Sequence, residues 1–214
     1  MFTDRTDAGR QLADVLADHD LDADIVLAVP RGGLPVGRIV ADRLRVPLDI
    51  VVARKLGAPQ NSELAIGSVA SDGTIWLNDS LIAQFGVDDA SLEAQIERER
   101  QTAQATVERY RGDRPSLDVD GKRVVVVDDG VATGATTIAC LRQIRAAGAD
   151  YVILAVPVAP PDTAERLLAE ADAVICVETP PHFSAVGQFY ESFEQVSDEQ
   201  AEAYLSTDSG SDPS

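Results

Sequence analysis

Lysine is almost missing from this sequence. Lys55 and Lys122 are the only two in 214 residues, and arginine supplies the rest of the 18 basic side chains, against 36 Asp and Glu and a formal net charge of −18. Bulk binding to DNA or RNA needs many Lys and Arg contacts to phosphate, so a nucleic-acid partner is not expected. Strong self-repulsion is tolerable where salt screens it, since the Debye length falls to about 3 Å at 1 M. Scarce lysine beside abundant aspartate therefore points to a halophilic source, against the plainer reading of an ordinary acidic protein. Cysteine is also scarce: Cys140 and Cys176 are too few for a disulfide scaffold and have no metal-ligand spacing. No apolar run approaches the roughly 18 residues of a membrane span. The start, Met1-Phe2-Thr3-Asp4, lacks the basic-then-apolar pattern of a signal peptide. A cytoplasmic protein with no membrane partner is expected. Neither G-x-x-x-x-G-K-[ST] nor G-x-G-x-x-G occurs, which removes the commonest nucleotide motifs.

What is present is a chain 45% hydrophobic, enough for one sizeable core. A single domain over 1–205 and a disordered acidic tail over 206–214 are expected. Residues 5–18 place Ala8, Leu12, Val15 and Leu16 on one helical face. Residues 25–29 form a continuous apolar run of the kind buried on both faces of a sheet. A helix with Pro35 in its first turn and a strand over 48–53 follow. Residues 57–62 read as a polar loop, and Ser71-Asp72-Gly73 as a hairpin turn between 64–70 and 74–77. A short helix over 79–85 precedes a long one over 91–110 that stops at Gly112. The Glu- and Arg-rich outer side of that long helix reads as a solvated face, with a homodimer contact as the alternative. From 124 onward strands alternate with helices, ending with a strand over 173–177. The fold class is therefore α/β, a parallel sheet flanked by helices, with a small hood from the terminal segments.

The chemistry concentrates in Val124-Val125-Val126-Val127-Asp128-Asp129-Gly130-Val131-Ala132-Thr133-Gly134-Ala135-Thr136-Thr137. It reads as a buried strand, two carboxylates at its C-terminal end, and a small-residue loop opening a helix. Ligands of open α/β sheets bind outside the carboxyl ends of the strands. A helix N-terminus offers free N–H groups and partial positive charge to a phosphate. Thr133, Thr136 and Thr137 add hydroxyls, and Gly134 and Ala135 allow close backbone approach. Two aspartates can accept from a vicinal diol or hold water on a divalent cation. Diol plus phosphate describes a ribose 5-phosphate. The alternative is a surface turn whose aspartates cap a helix, as Asp88-Asp89 is expected to do.

This stretch resembles the signature of the type I phosphoribosyltransferases. The Arg31-Gly32-Gly33 loop, Arg54-Lys55-Leu56-Gly57 and Gly187-Gln188-Phe189-Tyr190 are similar to an uncharacterised branch of that family. The resemblance implies that Asp128 and Asp129 contact the ribose hydroxyls of phosphoribosyl pyrophosphate and reach Mg²⁺ directly or through water. It implies that Ala132, Thr133, Gly134, Ala135, Thr136 and Thr137 hold the 5-phosphate. It makes Pro30-Arg31-Gly32-Gly33 the pyrophosphate loop, with Arg31 as its cation; an ordinary strand-to-helix turn is the alternative. Arg54 and Lys55 become a clamp that stabilises charge on the departing pyrophosphate, or else a solvated pair. Two departures stand out. Gly130 replaces a usual aliphatic residue, which is expected to loosen the turn. Ala132 replaces the acid of the hypoxanthine/guanine enzymes, which argues against that substrate class. The aromatics of 183–190 could stack on an acceptor or form a satellite core. The implied activity is Mg²⁺-dependent transfer of ribose 5-phosphate to a nitrogenous acceptor. A non-catalytic sensor of phosphoribosyl pyrophosphate or a nucleotide is the alternative.

Overall fold

The structure is a computed structural model that describes residues 1–19 and 21–206. The expected tail lies almost entirely outside the described residues. In chain order the elements are α1 (Arg5–Asp18), β1 (Ile25–Ala28), α2 (Gly33–Leu44), β2 (Leu48–Ile50), β3 (Ala53–Ala58), β4 (Asn61–Ala70), β5 (Ile75–Leu77), α3 (Asp79–Phe85) and α4 (Asp89–Arg111). They continue with β6 (Arg123–Val127), α5 (Ala135–Ala146), β7 (Tyr151–Val158), α6 (Pro161–Leu167), β8 (Ala173–Glu178) and α7 (Asp198–Ser206).

The apolar runs become a five-stranded sheet of order β2-β1-β6-β7-β8, parallel throughout. Both faces are covered, as runs without polar alternation require. On one side Leu12, Leu16, Val36 and Val40 of α1 and α2 pack on Val26, Ala28, Val125 and Val127. On the other, Ile138, Leu141 and Ile144 of α5 pack on Leu27, Val124, Val126 and Leu154. The β1–β6 register sets Ala28 opposite Val127, so the loops leaving both strands sit side by side. No described helix is long and apolar enough to cross a membrane.

The second sheet departs from the sequence reading in two places. The strand expected over 48–53 is split. Val51 N–H still bonds the Ala28 carbonyl at 3.1 Å, but the Val52 carbonyl accepts from Ser71 N–H at 3.0 Å, so the chain changes partner between these neighbours. The polar loop expected over 57–62 is instead the tip of an antiparallel hairpin. Ala58 pairs with Asn61 around Pro59-Gln60, and a register shift at Gly57 bends the strand. Leu56, Ile66 and Val69 of this β3-β4-β5 sheet bury against Leu81, Phe85, Leu92 and Ile96 of α3 and α4. The bounds of α4 follow from local chemistry: Asp88 Oδ1 accepts from Ser91 N–H at 2.9 Å at its start, and Gly112 ends it at φ 57°.

Candidate active site

Asp128 and Asp129 stand at the end of β6, with the Pro30–Gly33 loop from β1 laid against them. That contact explains the paired glycines. A Cβ on Gly32 would fall 2.0 Å from Asp129 Oδ2, and one on Gly33 would fall 2.8 Å from the Val127 carbonyl oxygen. The Pro30–Arg31 peptide is cis. The two carboxylates take different roles. Asp128 lines a cleft of about 750 Å³ and accepts the Asp129 backbone N–H on Oδ1 at 2.8 Å. Asp129 accepts Arg5 Nε on Oδ2 at 2.8 Å. Burial pushes the Asp128 carboxyl well above the usual range, and the neighbouring Asp129 charge pushes it further. Burial also raises Asp129, against the opposing pull of the Arg5 guanidinium.

The Thr/Gly loop is fixed from outside itself. Gly134, at φ 74°, caps α5 without any side-chain bond to the first turn, so that turn's N–H groups have no capping side chain. The Thr163 hydroxyl donates to the Ala132 carbonyl at 2.9 Å, Arg166 Nη2 donates to the Thr133 carbonyl, and the buried Ser68 hydroxyl donates to the Ala135 carbonyl at 2.6 Å. Thr133 is exposed and Thr136 lines the cleft, but Thr137 is buried and points its side chain away from solvent.

Arg54 and Lys55, on β3, line the same cleft as Asp128 and Thr136. Arg54 Nε reaches Glu99 Oε2 on α4 at 3.4 Å, and Arg98 Nε reaches the other oxygen of Glu99 at the same distance. Arg31 is placed differently from what the resemblance implies. Its guanidinium pairs with Asp198 of α7 at 3.3 Å, and Pro30 rather than Arg31 borders the cleft. Asp198 also accepts the Tyr110 hydroxyl and pairs with Arg109 at 2.7 Å, so Arg31 shares one carboxylate with two other donors.

The aromatic residues form a satellite core and do not line the cleft. Phe2 is fully buried against Tyr190, ring centroids 5.3 Å apart, and Phe183, Val186 and Phe189 join them. The Phe2 N–H donates to the Phe189 carbonyl at 2.7 Å, so the hood is tied by backbone pairing. Gly130 lies under the hood. A Cβ there would lie 2.6 Å from Val186 Cγ1, so glycine lets the hood close on the strand end. Cys140 is buried, and burial raises its thiol; Cys176 lies on the edge strand β8 and is only partly covered.

Comparison with known proteins bears on this arrangement. The family described as the phosphoribosyl transferase domain matches residues 3–194. The chain belongs to the phosphoribosyltransferase family. A protein of Mycobacterium tuberculosis strain H37Rv, provisionally named a phosphoribosyl transferase, is 45% identical over 205 residues, covering 96% of this chain and 46% of that protein. The chain thus spans about half the length of the curated relatives it matches. The crystal structure of TT1426 from Thermus thermophilus is similar at a TM-score of 0.81 and 43% identity, covering 96% of this chain and 97% of that one. A hypoxanthine/guanine phosphoribosyltransferase of Methanothrix soehngenii is 27% identical over 155 residues, covering 72% of this chain and 62% of that protein. The helix-flanked parallel sheet is this family's α/β architecture.

Two side chains at this site, Arg5 and Arg166, are not visible as candidates in the sequence, and Tyr190 reads there only as part of the hood or an acceptor stack. Arg5 and Tyr190 reach Asp129 from the chain's two ends, and Arg166 reaches the Thr133 carbonyl. Arg5 and Arg166 belong to no motif. Tyr190 stands in the Gly187-Gln188-Phe189-Tyr190 motif, but its bond to the Asp129 carbonyl has no sequence signal.

Proposed function

We propose that the protein transfers ribose 5-phosphate from phosphoribosyl pyrophosphate to a nitrogenous acceptor, releasing pyrophosphate. One observation carries this reading: Asp128 after β6, Thr136 of α5, and Arg54 and Lys55 of β3 border a single cleft at the carboxyl ends of the parallel strands. The N–H groups opening α5, with the Thr133 and Thr136 hydroxyls, would take the 5-phosphate. Asp128 would accept from the ribose hydroxyls. Arg54 and Lys55 would stabilise the charge that grows on the leaving pyrophosphate as the anomeric carbon turns oxocarbenium-like. The acceptor nitrogen attacks that carbon, and positioning supplies much of the rate.

The donor set suits a magnesium ion that arrives with its substrate. Carboxylate oxygens are the hard donors Mg²⁺ prefers, and Asp128 would hold it directly or through water. Among the described residues no group of three or more His, Cys, Asp or Glu forms a complete metal cage. Asp129 is already engaged by Arg5. Bound there, the ion would neutralise charge on the pyrophosphate.

The −18 charge opposes the approach of a polyanion. High salt would screen that long-range repulsion while sparing close contacts in the cleft, which fits a halophilic cytoplasm. The deciding experiment mixes the protein with phosphoribosyl pyrophosphate, Mg²⁺ and a panel of nitrogenous bases at high salt and follows pyrophosphate release. Base-dependent release is the expected result. Tight binding of phosphoribosyl pyrophosphate with no release for any base would replace the transferase by a sensor.

A further inference from the structure

Asp129 has surroundings that the phosphate-loop motif does not account for. Arg5 is the first residue of α1, and its bond to Asp129 joins side chains only 12% and 13% exposed. The same guanidinium donates through Nη1 to the Glu194 carbonyl at 2.5 Å and lies 3.9 Å from the centre of the Phe193 ring. Gly32 closes on the carboxylate from the β1 side. The Tyr190 hydroxyl donates to the Asp129 carbonyl at 2.5 Å. Asp129 is thus enclosed by α1, the β1 loop and the hood, and Asp128 is the carboxylate that borders the cleft.

We propose that Arg5 is a positioning residue of the binding site: it compensates and orients Asp129, and through Asp129 it fixes Asp128 and the Gly32 loop. This rests on the phosphoribosyl reading above. The route is short, because the Asp129 N–H is the donor to Asp128 Oδ1. Displacing Asp129 displaces the oxygen that would meet the ribose. Arg5 also supplies the guanidinium that pairs with this buried carboxylate, and removing one partner of a buried pair leaves an uncompensated charge.

The test is a double-mutant cycle on the full chain: Arg5→Met, Arg5→Lys, Asp129→Asn and Arg5→Met/Asp129→Asn. Dissociation constants for phosphoribosyl pyrophosphate with Mg²⁺ are measured by calorimetry, alongside Tm. Arg5→Met should weaken binding about 10-fold and Asp129→Asn about threefold, with the double variant no weaker than Arg5→Met, because both break one linkage. Arg5→Lys should recover most of the affinity by restoring the charge. Multiplying single effects, or an Arg5→Met that lowers Tm while leaving the affinity of the folded protein intact, would overturn the proposal. If the wild-type chain binds no phosphoribosyl pyrophosphate, the proposed function fails, and hydrogen exchange of the ligand-free protein decides the role of Arg5 separately. The Glu191 and Ser192 amides, which donate to the Phe2 and Thr3 carbonyls, should exchange faster in both single variants. Unchanged rates there would overturn the proposal.

Discussion

The cleft has two unlike walls. Its floor is the end of the parallel sheet, where Val124 to Val127 are fully buried and Asp128 and Asp129 are desolvated enough to raise both carboxyls. Its outer wall is the β3-β4 hairpin with α4, where Arg54 is half-exposed and its bond to Glu99 is long. On the floor a polar group is costly to bury and is held by several partners at once. On the wall, exposed pairs contribute little, so the same charges stay available to a ligand. Under the proposed reaction the difference would divide the labour: the floor would fix the sugar, and the wall would answer to the leaving group.

The largest effect expected is on the floor. Asp128→Asn should lower kcat/KM for phosphoribosyl pyrophosphate by about 10²- to 10³-fold, while Lys55→Ala on the wall should act chiefly on kcat by about 10-fold. Steady-state kinetics of both variants would break the comparison if the two losses had the same kcat and KM pattern. Next comes Gly32→Ala. The added methyl must displace the Asp129 carboxylate, and we expect a stability loss of about 1–3 kcal/mol by denaturant unfolding.

The pH response is smaller and has an opposite sense at two places. The Tyr110 hydroxyl, then Arg109 and Arg31, hold the Asp198 carboxyl below its usual value. Its contribution to stability is therefore present above the unfolded carboxylate pKa, about 3.9, and is lost as pH falls through the lower folded value. The floor aspartates are raised, so their charged forms cost stability at neutral pH and acid relieves that cost. Thermal unfolding of Asp198→Asn should show a Tm deficit at neutral pH that closes on acidification; a constant deficit would rule out the linkage. The smallest effect belongs to Glu99→Gln, whose exposed pair with Arg54 should be worth less than about 1 kcal/mol. A larger loss in Tm would mean that the wall is built like the floor.

The parallel sheet could be read from the sequence because runs such as Val124 to Val127 have no polar alternation, and a strand buried on both faces must look that way. The Asp128 and Thr136 positions followed from the strand–loop–helix order. The hairpin was not readable: Gly57 and Pro59 suggest a loop, yet here they supply a bulge and a tight tip. Arg31 was placed by its adjacent glycines, but its partner Asp198 is 167 residues away, and only the folded chain brings them together. Arg5 gave no signal for the same reason. A helix-opening arginine looks solvated until the other end of the chain closes over it.

That closure has a consequence for folding order. Arg5 finds Asp129 across 124 residues of chain and the Glu194 carbonyl across 189. Contacts so distant in sequence close late, because the loop entropy must be met before they contribute. During synthesis Arg5 emerges early and must wait for every described strand before its carbonyl partner exists. The sheet can assemble before that, but the Arg5 guanidinium, once paired with Asp129, gains its second partner only when Glu194 has arrived.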